Sequence, residues 1–132
     1  MKVSIVIPNF NSGRTLVDNL PTLLKIGAEE IIVVDDGSNE SIDKILNQVQ
    51  DDGSKIKIIK NDKNLGFSSA VNLGVKEATG DIIILLNTDV LPEKDFLQFL
   101  LPHFTHLKVF AVGCMDKSIE SGKIVLRGRG LA

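Results

Sequence analysis

The amino-acid sequence predicts an α/β fold, a mostly parallel sheet flanked by helices. Three observations carry that reading. Short β-rich runs alternate with longer segments of helical periodicity along the chain. The runs are apolar on both faces, as strands sandwiched between helix layers must be. Polar and acidic residues follow directly on the strand ends, where open parallel sheets hold their ligands.

The first strand is read over Lys2 to Ile7 and closes in Pro8-Asn9-Phe10-Asn11. A helix follows from about Ser12 or Gly13, with Leu16, Leu20, Leu23 and Leu24 on one face; Pro21 is expected to kink or interrupt it. The second strand, Glu30 to Val34, runs straight into Asp35-Asp36-Gly37-Ser38, and the second helix starts at Ser38 with Ile42, Ile45, Leu46 and Val49 at helical spacing. A polar turn, Asp51-Asp52-Gly53-Ser54, leads to a third strand over Lys55 to Lys60 with Asn61-Asp62 at its tip. The third helix spans Phe67 to Ala78, and the fourth strand, Asp81 to Leu86, ends in Asn87-Thr88-Asp89. Pro92 opens a fourth helix carrying Phe96, Phe99 and Leu100 on one face, and Pro102 ends it. Val109 to Gly113 reads as a fifth strand and Gly122 to Leu126 as a sixth.

A chain of 132 residues with 43% hydrophobic content fits one domain over residues 1–132 that buries a core without disulfides or a structural metal. Fifteen basic and 17 acidic residues give a net charge of −2, with no basic footprint for nucleic acid or an anionic membrane. Cys114 is the only cysteine, which favours a reducing compartment. No apolar run approaches bilayer length. The expectation is a cytoplasmic chain, with membrane association only through segments outside these residues.

Two adjacent carboxylates repel, so Asp35 and Asp36 at one strand tip call for hydrogen bonds, a cation or a ligand. The stretch also reads as a solvated Asp-Gly turn in which Asp36 caps the next helix, and both readings stand. Asn87-Thr88-Asp89 can supply a hard cation such as Mg²⁺ or Mn²⁺ with a carboxylate, leaving its other positions to water and phosphate; alternatively Asp89 caps the helix after it. Asn64-Leu65-Gly66 reads as the lead-in turn of a capped helix. His103 and His106 are placed for a helix C-terminus or for solvent rather than for a metal, and Cys114 as a buried small hydrophobe. Lys123, Arg127 and Arg129 suit a solvated edge strand, and Gly128-Arg129-Gly130 lacks the helix a dinucleotide fingerprint needs.

Five segments in one order carry a resemblance: Val3 to Asn11, Val33 to Ser38, Asn64 to Gly74, Ala78-Thr79-Gly80-Asp81 and Leu86 to Asp89. Together they resemble the nucleotide-sugar-binding half of a family 2 glycosyltransferase with the Rossmann-like A-type fold. The resemblance implies that Phe10 stacks on the nucleobase, that Asp36 accepts a hydrogen bond from a base nitrogen with Asp35 close to the donor, and that Pro8 and Asn11 shape the same wall. Gly66 and Asn72 become candidates for contacts along the ribose and diphosphate. Asn87-Thr88-Asp89 stands at the family's Asp-x-Asp metal motif, with Asp89 as ligand to Mg²⁺ or Mn²⁺; Asn87 in the first position leaves one carboxylate instead of two.

The activity implied is metal-assisted, inverting transfer of a sugar from a nucleotide-diphosphate donor to a saccharide, lipid or protein acceptor. The acceptor-binding half lies outside these residues. No catalytic base is assigned, since Asp116 and Glu120 follow Asp89 too closely to match the family's base, and the isolated chain is expected to bind donor but transfer little sugar. The competing readings are an Mg²⁺-binding phospho-receiver and a non-catalytic nucleotide-binding module. A receiver carries its acidic pair after the first strand, whereas the pair here follows the second. A sugar-nucleotide pyrophosphorylase would need a Gly-rich, Arg-containing loop after the first strand, which is missing.

Overall fold

The computed structural model describes residues 1–47, 49 and 55–128. The Asp51-Asp52-Gly53-Ser54 turn, Arg129 and Gly130 lie outside the described residues. The chain divides into two compact units, Met1–Phe96 and the residues from Leu97 on.

The first unit runs β1 (Val3–Asn9), α1 (Gly13–Leu23), β2 (Glu30–Asp36), α2 (Ile42–Leu46), β3 (Ile56–Asn61), α3 (Phe67–Glu77) and β4 (Ile82–Leu85). The strands form one parallel sheet in the order β3-β2-β1-β4. From β1 the chain steps outward through β2 to β3, then returns to the other side of β1 for β4. Right-handed crossovers therefore place α1 and α2 on one face and α3 on the other.

Val6, Ile32 and Val34 are fully buried with Ala70 of α3, and Ile59, Leu73 and Ala78 pack around them. Gly74 lets α3 approach this closely: a Cβ there would collide with the Val6 side chain and come within 3.0 Å of Val34. Ile5, Ile7, Ile31 and Val33 are buried on the opposite face, as are Leu16, Leu20 and Leu23 of α1. Each such side chain contributes about 2 kcal/mol on leaving water. The expected interruption at Pro21 does not occur: α1 continues to Leu23, and the Leu24 N–H bonds the Leu20 carbonyl at 2.9 Å. Pro21 sits in the last turn, where burial of Leu20 and Leu23 secures the helix around the missing donor.

The second helix is shorter than predicted, Ile42–Leu46 rather than a start at Ser38. Ser38 and Asn39 are held by the tip of β1, so the chain becomes helical only after Ser41. At the other end of the sheet, Glu30 accepts bonds from Ser4 Oγ (2.6 Å), the Thr79 N–H (2.7 Å) and Thr79 Oγ1 (2.8 Å), while Ser4 Oγ accepts the Gly80 N–H at 2.8 Å. Burial raises the Glu30 pKa, but these bonds and Lys57 outweigh it and hold the carboxyl below its ordinary range. The Ala78-Thr79-Gly80-Asp81 segment thus braces the sheet, with Asp81 also accepting the Lys2 N–H at 2.8 Å.

In the second unit α4 (Phe96–Leu100) starts later than Pro92, and Leu97 and Leu100 are its buried residues, with Phe99 exposed. As expected, α4 ends just ahead of Pro102, which sits at the start of a 3-10 turn over Leu101–Thr105. Val109 to Gly113 is not a strand, and Phe110 within it is exposed. Cys114, predicted to be buried behind that strand, is exposed as well. The strands here are β5 (Asp116–Glu120) and β6 (Lys123–Arg127), paired antiparallel. Their two-residue connection, Ser121-Gly122, has φ of 50° and 76°, the geometry a tight hairpin turn needs. A local turn therefore decides this pairing, and the expected fifth parallel strand does not form.

Candidate functional site

The ladder register sets Asn9 beside Asp35 at the tips of β1 and β2. Both are buried. Asn9 Nδ2 donates to Asp35 Oδ1 at 2.8 Å and to Ser38 Oγ at 3.3 Å, and the Ser38 hydroxyl donates to the same Asp35 oxygen at 2.5 Å. Ser38 Oγ also accepts the Asn11 N–H at 2.9 Å, while Asn11 Oδ1 accepts the Asn39 N–H at 2.9 Å. Asn11 takes φ of 51°, a left-handed conformation that Asn tolerates better than most residues. These bonds pin the turn after β1 to the turn after β2 and leave Phe10 at the apex, 48% exposed.

Asp36 points to the other face of the sheet, beside Asn61 of β3. Its Oδ1 accepts Asn61 Nδ2 at 2.8 Å and the Leu65 N–H at 3.0 Å, and its Oδ2 accepts the Gly66 N–H at 2.8 Å. Burial pushes the Asp36 pKa up, but the Asn61, Leu65 and Gly66 bonds prevail and hold it below the usual carboxylate range. Asp36 is therefore an acceptor only, with three of its roughly four lone-pair positions taken by Asn61, Leu65 and Gly66. Gly37, at φ 73°, permits the crossing of the next segment: a Cβ there would lie 2.5 Å from the Lys63 carbonyl carbon. Residues Lys63 to Gly66 thus pass over Gly37 and hang their amides on Asp36.

Across β1 lies the tip of β4. Its ladder closes with the Leu86 N–H on the Val6 carbonyl at 3.0 Å, after which the Val90 N–H returns to the Asn87 carbonyl at 3.2 Å. Asn87 to Val90 is thus a β-turn with Thr88 and Asp89 at its centre. Asn19 of α1 donates Nδ2 to the Thr88 carbonyl at 2.8 Å. Asn87 and Asp89 are exposed and Thr88 half-buried. Among the described residues no three His, Cys, Asp or Glu side chains group to hold a metal. One carboxylate with an amide and a hydroxyl nearby fits a Mg²⁺ or Mn²⁺ ion carried mainly by phosphate oxygens and water, not a protein cage.

The sheet reverses its strand order between β1 and β4, the place where open α/β sheets open a crevice. Pro8, Phe10, Asn11, Asp35, Asp36 and Gly66 gather on the β1, β2 and β3 side of it, and Asn87, Thr88 and Asp89 on the β4 side. Asn72 does not join them. It is exposed on α3, on the side turned from the buried Ala70 and Gly74, and six residues past Gly66 place it about 9 Å down the helix. His103 and His106 are exposed. The sequence reading missed the structural parts of the site: Asn9, Ser38 and Asn61 as partners of the two aspartates, and Asn19 as partner of Thr88. Asn9 and Asn61 stand at strand tips and could have been paired with the aspartates through the parallel register; Asn19, inside a helix, carries no such signal.

The profile of glycosyl transferase family 2 matches residues 4–129. Dolichol-phosphate mannosyltransferase of Pyrococcus furiosus is 31% identical over 129 residues, which is 94% of this chain and 35% of that protein. Glycosyltransferase GlyG of Streptococcus pneumoniae is 27% identical over 100 residues, covering 74% of this chain and 33% of that one. The chain thus spans about a third of the length of the relatives it matches. Among solved structures, TarS 1-349 of S. aureus in complex with UDP-GlcNAc superposes with a TM-score of 0.69 at 24% identity, over 80% of this chain and 31% of that one. The mannosyltransferase PcManGT of Pyrobaculum calidifontis, in complex with GDP-Man and Mn²⁺, gives 0.67 at 20% identity, over 85% and 34%. Among the described residues no helix is long and apolar enough to cross a membrane.

Proposed function

The chain belongs to glycosyltransferase family 2, and from that premise we propose that residues 1–132 are the donor-binding part of an enzyme that transfers a sugar from a nucleotide-diphosphate donor. The observation that carries the proposal is the exposed Phe10 on a turn pinned to the Asp35-Asp36 tip of β2, beside the edge where the strand order reverses.

Phe10 offers its ring to a nucleobase, and stacking on an aromatic side chain is worth about 1–3 kcal/mol per base. Asp36 accepts a hydrogen bond from a base nitrogen. An acceptor-only carboxylate can take the ring N–H of uracil, thymine or guanine, a first kind of partner, or the exocyclic amine of cytosine, a second. The UDP-GlcNAc of the TarS complex and the GDP-Man of the PcManGT complex both carry bases of the first kind. Asp35 belongs to the same wall through Asn9 and Ser38, which fix the turn bearing Phe10 and Asn11 beside Pro8. Gly66 presents the start of α3 to the pocket, with Asn72 exposed further along the same helix.

Asp89, with Asn87 and Thr88 beside it, would hold Mg²⁺ or Mn²⁺, which supplies neutralisation of the charge that builds on the departing diphosphate. Inverting displacement at the sugar carbon requires a general base on the acceptor hydroxyl, and no residue of this chain is assigned to that role. The acceptor is a saccharide, lipid or protein, and the proposed location is the cytoplasm, with membrane association only through segments outside these residues.

Calorimetric titration with UDP, dTDP, GDP and CDP in the presence of Mn²⁺ tests the proposal. Binding of at least one of the four is expected. A folded sample that binds none of the four contradicts it.

A further inference from the structure

Asn19 lies in the middle of α1, half-buried at the margin of the face that buries Leu16, Leu20 and Leu23. Its side chain donates to the Thr88 carbonyl at 2.8 Å across 69 residues of sequence. Thr88 and Asp89 are the central residues of the turn that the Val90 N–H closes on the Asn87 carbonyl. The carbonyl that Asn19 grips is thus that of the turn's central peptide, the one joining Thr88 to Asp89.

A β-turn has two forms that differ by rotation of that central peptide, and the rotated form carries its third residue to positive φ. Among the described residues only Asn11 and Ser121 combine a side chain with positive φ, so Asp89 stands in the unrotated form. Rotation would swing the Thr88 carbonyl away from Asn19 and change the φ of Asp89, on which the favoured rotamers of its carboxylate depend. Thr88 and Asp89 have no other side-chain tether among the described residues, whereas Asp35 and Asp36 are held several times over.

We infer that Asn19 is a positioning residue for the cation end of the donor site: by fixing the Thr88–Asp89 peptide it holds the Asp89 carboxylate in the direction that meets a diphosphate-bound Mg²⁺ or Mn²⁺. The inference rests on the donor-binding reading above. It also gives α1 a mechanical role. The helix starts immediately after the Phe10–Asn11 turn and reaches Asn19 six residues on, about 9 Å along its axis, so a single rigid element references both ends of the pocket.

The test measures affinity of the chain for the nucleoside diphosphate it binds most tightly, with and without Mn²⁺, in the parent and in Asn19→Ala, Asn19→Ser and the isosteric Asn19→Asp. The ratio of the two affinities is the metal-dependent gain. It is expected to fall about fivefold in each variant, as for loss of one hydrogen bond, while metal-free affinity stays within about twofold and thermal denaturation confirms folding. A gain unchanged in the folded variants overturns the inference, and so does an equal fall with and without metal, which marks Asn19 as a general structural tether. A parent that binds no nucleoside diphosphate, or gains nothing from Mn²⁺, instead overturns the donor-site reading, and the inference with it.

Discussion

At the tips of β1 and β2 the polar side chains Asn9, Asp35 and Asp36 are buried and bonded to other parts of the chain, whereas on the far side of β1 the β4 turn leaves Asn87 and Asp89 in solvent. Asp36 alone gathers three donors from β3 and the lead-in to α3; the β4 turn has its own closing bond and the Asn19 contact. On the proposed donor-binding function, the contrast follows from what each end would recognise. A nucleobase is flat and weakly charged, so its seat gains from being preformed. A diphosphate with its cation brings strong charge and its own ligand atoms, so the protein need add only one well-aimed carboxylate.

Removing the centre of the preformed end gives the largest effect. Asp36→Ala strands the Asn61, Leu65 and Gly66 donors, and urea unfolding should show a loss of about 3 kcal/mol together with loss of nucleotide binding. Phe10→Ala comes next: affinity should fall about tenfold, as for a lost stacking platform, with the urea midpoint nearly unchanged because half of the ring is already in solvent. Asp89→Ala should alter stability by less than about 0.5 kcal/mol, as at other exposed sites, yet abolish the gain in affinity from Mn²⁺. Comparable destabilisation by Asp36→Ala and Asp89→Ala would erase the contrast between the two ends.

The smallest effect is one of pH. The Asp36 and Glu30 carboxyls lie below their ordinary values of 3.8 and 4.5 in the folded chain, so the unfolded chain takes up protons first as pH falls. Their stabilisation is complete above those ordinary values and is lost as pH drops through the depressed folded ones. Urea midpoints should therefore show no contribution from these groups between pH 7 and 6 and a decline below about pH 4.5. A midpoint that rises on acidification would contradict the assignment.

Much of the preformed end was legible in the sequence because its pieces are local. Four apolar β-formers running into Asp35-Asp36-Gly37, or Ile82 to Leu86 running into Asn87-Thr88-Asp89, mark a strand and its tip without any knowledge of the partner strand. The boundaries of α3 were predicted to within a residue, since Asn64-Leu65-Gly66 before it and Thr79-Gly80 after it are local turn signals. What escaped depends on pairing across the chain. The order β3-β2-β1-β4 decides that Asn9 meets Asp35 and that Asn61 meets Asp36, and Ser38 was read as a helix start because its bonds to Asp35 and Asn11 are invisible one residue at a time. The misread strand at Val109 to Gly113 has the same origin: apolar content suggested it, but the Ser121-Gly122 turn made the hairpin beyond it the cheaper pairing. Asn19, set in a helix with its partner 69 residues away, is the extreme case.

The most direct measurement of the two-ended site compares a nucleoside monophosphate with its diphosphate by calorimetry on the parent chain, each with Mn²⁺ and with a chelator. The preferred base should bind in both forms without metal, and Mn²⁺ should raise affinity for the diphosphate only. Loss of all binding in chelator, or an equal gain for both forms, would contradict a preformed nucleoside seat joined to a cation end that the ligand completes.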